Sequence, residues 1–124
     1  MLKFEYFFGS ISKEAYTDAV LYAFDPAEFE PLAGTCFDFI RNYMREEGKE
    51  KLSMAEVKKM LTEGRAGKYY LFPINLFHEI SKNKELRKIA ERVCKAYEIK
   101  DMDKRMWKFR HKIYTELLRR GLIK

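Results

Sequence analysis

Residues 84–120 of this chain carry two consecutive apolar stripes at helical spacing, each only one face wide. At roughly 100° per residue, Leu86, Ile89, Ala90, Val93 and Tyr97 fall together, and Lys84, Lys88, Arg92 and Lys95 fall opposite. Glu91 interrupts this basic face and is placed to pair with Lys95 one turn on. The second stripe holds Met102, Met106, Phe109, Ile113 and Leu117, extended by Trp107, Tyr114 and Leu118. Lys104, Arg105, Lys108, Lys112 and Arg119 occupy its other side, with Asp101 at the N-cap position. The spacing predicts helices over about 84–97 and 102–120. Leu86, Ile89, Val93, Met106, Phe109, Ile113 and Leu117 are expected to meet in one core. Arg110 falls inside the apolar sector and needs a carboxylate, Asp103 or another, or a partner.

Upstream, Phe4, Tyr6 and Phe8 alternate, which predicts a short strand over residues 3–8, ended by Gly9. Ser12 is placed to cap a helix running to about Phe24. Asp25-Pro26 with Glu28 reads as a fresh helix start with a capping box, and Pro31 as an interruption before a longer helix to about Glu47. On that helix Cys36, Phe39, Ile40, Tyr43 and Met44 share a face. Ser53 and Glu56 have capping-box spacing, flanked by Leu52 and Val57 as a staple, and Gly64 is the stop. Residues 68–72 read as a β-prone run closed by Pro73, before a short helix carrying Ile74, Phe77 and Ile80.

The expected fold is therefore α+β and predominantly helical: one compact multi-helix domain over residues 1–124, with at most a small two-stranded sheet from about 3–8 and 68–72. The 47% hydrophobic content rules out disorder as the default reading, and no apolar run approaches the ~18 residues of a membrane span. No basic-then-apolar leader follows Met1, so a cytoplasmic location without membrane contact is expected.

The net charge of +6 is unevenly spread: residues 1–47 sum to −5 and residues 48–124 to +11. Such a split suits a polyanion on one surface, or two halves that partly neutralise each other. Between Lys104 and Lys112 five cations follow one another with no acid. Cations at helical spacing can track phosphates, and Trp107 or Phe109 would stack on a base if exposed. An apolar stripe usually packs inward, so both rings are expected in the core.

Several chemistries lack their residues. Cys36 and Cys94 sit among apolar neighbours and read as buried reduced thiols, and His78 and His111 are isolated, so neither a metal nor a cofactor is expected. Gly64-Arg65-Ala66-Gly67-Lys68 fails as a phosphate-binding loop, because Thr62 stands at the first glycine position and the order is helix–loop–strand. A helix-turn-helix over Leu86–Arg105 would place Cys94 at the turn glycine and Lys95 and Lys100 at apolar positions. Leu117-Leu118-Arg119-Arg120-Gly121-Leu122-Ile123 resembles the exit of a winged-helix recognition helix, with no strands after it to form a wing. Ser10, Ser12, Ser53 and Ser81 lack an adjacent histidine or glycine elbow, so no enzyme is expected.

These residues order the functions. First comes a non-enzymatic nucleic-acid-binding or nucleoprotein-associated module, with Lys84, Lys88, Arg92, Lys95, Lys104, Arg105, Lys108, Lys112 and Arg119 as contacts. Second comes a small protein-interaction regulator or inhibitor that docks through the aromatic, acidic N-terminal half, around Phe7, Tyr16 and Tyr22.

Overall fold

The computed structural model describes residues 11–124, and the expected strand over 3–8 lies outside them. Among the described residues the chain forms six α-helices and one β-hairpin, so it is predominantly helical with a small sheet. The helices are α1 (Lys13–Phe24), α2 (Phe29–Glu46), α3 (Met54–Glu63), α4 (Ile74–Lys82), α5 (Lys84–Ala96) and α6 (Met102–Arg119).

Local chemistry accounts for most of the boundaries. The Ser12 hydroxyl accepts from the Ala15 N–H at 3.1 Å and starts α1. Asp25 accepts from the Ala27 N–H at 3.0 Å, but the segment it opens is a single 3-10 turn, Pro26–Glu28. No capping box forms with Glu28, since the Asp25 N–H turns back to the Tyr22 carbonyl. Pro31 does not interrupt: it lies in the first turn of α2, where a missing N–H costs no intrahelical bond. Before α3 the capping box is complete, with the Glu56 N–H donating to Ser53 Oγ and the Ser53 N–H to Glu56 Oε1, both at 3.1 Å. Ser53→Ala should therefore lower the free energy of unfolding by about 0.5–2 kcal/mol, read from the urea midpoint.

Gly64 ends α3 at φ +74, and a Cβ there would lie 2.1 Å from the Asn75 backbone nitrogen. That contact explains the glycine-rich stretch as architecture: Gly64 closes a helix against α4, and Gly67 turns a hairpin. Arg65–Ala66 (β1) pairs antiparallel with Tyr69–Tyr70 (β2). The expected 68–72 strand is thus real but short, and its partner is the adjacent β1.

The core is one apolar cluster. α4 is its centre and buries Ile74, Leu76, Phe77 and Ile80 against α3, α5 and α6. α1 packs on α5, where buried Tyr16 donates its hydroxyl to the Leu86 carbonyl at 3.0 Å. α2 packs on α6. Cys36 and Cys94 are buried and unpaired, and burial pushes the Cys36 thiol up to about 12. After α6 the chain returns to the loop before α3: the Leu52 N–H donates to the Leu122 carbonyl at 2.7 Å, and the Lys124 N–H to Leu52 at 2.9 Å. No helix among the described residues is long and apolar enough to cross a membrane.

Glu56 also joins Lys49, whose ammonium donates to its carboxylate and to the Tyr43 hydroxyl. With the Ser53 N–H beside it, the Lys49 ammonium holds the Glu56 carboxyl down from 4.5 to about 2. A carboxylate depressed on folding stabilises above its unfolded pKa, and that stability is lost as pH falls through the folded value. The difference in thermal midpoint between wild type and Glu56→Gln should therefore hold at neutral pH. It should shrink toward zero between pH 4.5 and about 2.

Candidate nucleic-acid interface

The basic candidates sit on two helices, and the structure separates them into groups. On α5, Lys84, Lys88, Arg92 and Lys95 are all exposed. Lys88 pairs with Glu85 at 3.8 Å. Glu91 pairs with Arg87 at 3.4 Å instead of the expected Lys95. The Arg87 guanidinium also holds Asp103 through two bonds of 2.9 and 3.2 Å, which ties the start of α5 to the start of α6.

On α6, Lys104 and Lys108 are exposed and make no ion pair among the described residues. Arg105 is half-buried and donates to the Lys100 carbonyl at 2.7 Å. Lys112 is half-buried and pairs with Glu30 of α2 at 3.5 Å. Arg119 grips Glu116 with two bonds, and this guanidinium holds the Glu116 carboxyl down to about 2. Of Lys104, Arg105, Lys108 and Lys112, two thus remain without a partner among the described residues, Lys104 and Lys108. The other two are engaged by the acidic half of the chain or by local backbone. Asp101 stands at the N-cap of α6 but makes no side-chain cap, because its φ of +59 swings the carboxylate away from the helix amides.

Three expectations about the apolar stripes are corrected here. Trp107 is not core: it is 60% exposed, and its ring stacks on His111 at 4.6 Å and 10°. It lies one residue past buried Met106, and so about 100° further round the helix. Leu118 is likewise exposed, whereas Tyr114 is half-buried and packs against the core as expected. At the C-cap of α5, Tyr97 is exposed and leaves the stripe, whereas Ile89 is half-buried and packs against the core cluster. Phe109, by contrast, is buried as expected.

Arg110 explains why the stripe stops where it does. Its guanidinium donates to the Leu61 carbonyl at 2.6 Å and the Thr62 carbonyl at 3.4 Å, at the C-terminal end of α3. It also lies over the Phe77 ring at 5.8 Å. A cation at a helix C-terminus satisfies carbonyls that lack intrahelical donors. No carboxylate is needed, and burial lowers the Arg110 pKa.

The outcome is an α6 with two parallel rows outside the buried stripe, each partly exposed. Lys104, Lys108 and Lys112 follow at four-residue steps, and Trp107, His111, Tyr114 and Leu118 follow at four- and three-residue steps beside them. On the far side of the lysine row lies a cleft of about 610 Å³. One wall is Lys104, Arg105 and Lys108, the other Ala23, Asp25, Pro26 and Phe29, with Phe77 and Phe109 at the bottom. Lys112 and Arg119 line a different hollow, with Glu30, Phe37 and Glu116. The sequence reading missed the cleft residues Asp25 and Phe29; the only available signal was the Asp-Pro break that turns the chain there. Tyr16 of the acidic half is 2% exposed, Tyr22 is exposed and stacks on Phe72 at 5.7 Å, and Phe7 lies outside the described residues. No protein-family model matches this chain, and neither a curated protein nor a solved structure matches it.

Proposed function

We propose that the protein is a non-enzymatic nucleic-acid-binding module that takes single strands along α6. The observation that carries this reading is the exposed Trp107–His111 stack beside Lys104 and Lys108, two cations without an ion pair among the described residues. An aromatic ring held flat next to a row of free ammonium groups offers a base a face and its phosphates a counter-charge. A duplex hides the faces of its bases, so the ring favours an unpaired strand. The test is a titration of labelled single-stranded DNA, single-stranded RNA and duplex DNA at two salt concentrations. Single strands should bind more tightly than duplex, and Trp107→Ala should weaken them about 5- to 150-fold, the range of one base–aromatic stack. The log–log salt slope should stay unchanged in that variant. Absence of binding to any strand at low salt would remove the reading.

The second reading, a protein-interaction module docking through the N-terminal half, draws on the exposed ring of Tyr22. Buried Tyr16 gives it no surface. Light scattering that showed a dimer lost on Tyr22→Ala would favour it.

A further inference from the structure

We propose that the cleft between the 3-10 turn and α6 seats one unpaired nucleobase that carries an exocyclic amine, from a strand whose phosphates lie on Lys104 and Lys108. This rests on the nucleic-acid reading and names what that surface selects.

The cleft has the size and lining of a ligand site. Its volume of about 610 Å³ falls within the roughly 300–1,000 Å³ usual for small-molecule pockets. Phe29 is the half-buried ring on its wall, held edge-on against Phe109 at 5.5 Å and 81°. Phe109 in turn meets Phe77 at 6.1 Å and 79°, so Phe29 rests on a packed aromatic column and presents a fixed surface.

The rim decides what enters. Lys104, Arg105 and Lys108 stand on one side, and Asp25, Glu30 and Asp101 also border the cleft. Glu30 is occupied by Lys112, and one Asp25 oxygen by the Ala27 N–H. Asp101 has no capping bond, which leaves its carboxylate as an acceptor at the mouth. A simple anion would meet these carboxylates as well as the cations. A nucleotide matches both signs: an amine on the base edge donates to a carboxylate, and its phosphate sits on the ammonium side. Lys104 lies one turn before Trp107 and Lys108 one turn before His111, so the lysine row runs between the Trp107–His111 stack and the cleft, and neighbouring bases of one strand can divide between them.

The experiment compares short labelled single strands of deoxycytidine, of deoxyuridine and of abasic sugar-phosphate by fluorescence anisotropy. Deoxycytidine and deoxyuridine differ at the amine that the carboxylates would accept. Wild type should bind the cytosine strand about tenfold more tightly than the uracil strand, the scale of one good base-edge pairing. Ala23→Trp fills the cleft from its α1 wall without altering a charge. It should erase that preference while keeping the salt slope, with circular dichroism confirming the helical content. Asp101→Asn tests the acceptor separately, since asparagine tolerates positive φ, and it should also erase or reverse the preference. Equal binding of cytosine and uracil strands by wild type would overturn the proposal, as would an undiminished preference in both variants. In either case retained binding of all strands leaves the nucleic-acid reading standing. Failure of every strand to bind at low salt removes that reading and this one together. A free cytidine monophosphate bound as tightly as the strand would overturn the assignment to a strand.

Discussion

Phe109→Ala should lower the free energy of unfolding by about 3–5 kcal/mol, the cost of removing a buried phenyl ring and leaving part of its space empty. Phe109 is 2% exposed and stands edge-on to both Phe29 and Phe77, so its loss removes two aromatic contacts as well as apolar burial. α6 packs on α2, α3 and α4, so the gap would open between several helices at once. Against a typical total of about 5–15 kcal/mol, such a loss is a large share of stability. Urea denaturation followed by circular dichroism measures it. Phe109→Leu should cost clearly less, because most of the volume is kept. A midpoint shift in the alanine variant no larger than that of a surface substitution would show that this side of the core is loosely packed.

Lys104→Glu with Lys108→Glu should abolish most single-strand binding at low salt and leave the fold intact. The two side chains are exposed and make no ion pair among the described residues, and surface changes of this kind usually alter stability by less than about 0.5 kcal/mol. If each lysine neutralises one phosphate, the log–log salt slope of the wild type should exceed that of the variant by about 1.4, since each contact on a single strand contributes about 0.7. Lys112 is a poorer test, because Glu30 already partners it. Lys3→Glu with Lys13→Glu imposes the same charge change on the acidic half and should do little. Equal loss from both pairs would mean that net charge alone drives association. That result would take the strand off α6.

Much of the architecture was legible because it depends on neighbours in sequence. Ser12, Ser53 with Glu56, and Gly64 all act within one helical turn, and each boundary they mark is observed. The core residues of α6 were legible for the same reason: Met102, Met106, Phe109, Ile113 and Leu117 repeat at the period of the helix and are all buried. Pro31 misled because proline reads as a break by type, whereas its effect depends on whether it falls in the first turn.

The candidate site was legible in its charges and not in its geometry. The nine cations are visible in the sequence, but which of them remain free depends on residues far away. Lys112 is claimed by Glu30, which approaches only because α2 packs on α6. Trp107 faces solvent because the flank of the stripe is taken by Arg110, whose partners Leu61 and Thr62 lie on α3. A helical wheel ranks positions by angle, and near the edge of a stripe the angle does not decide; the neighbouring helix does.

The sequence by itself determined the helical class, the caps, the stops and the apolar faces, because propensity, capping and periodicity act over a few residues of chain. The tertiary structure alone decided that Lys104 and Lys108 make no ion pair among the described residues, that Trp107 stands outside, and that Asp25 and Phe29 close a cleft against α6. Those outcomes come from contacts between elements tens of residues apart, where the packing of one helix on another sets which polar and aromatic groups find partners.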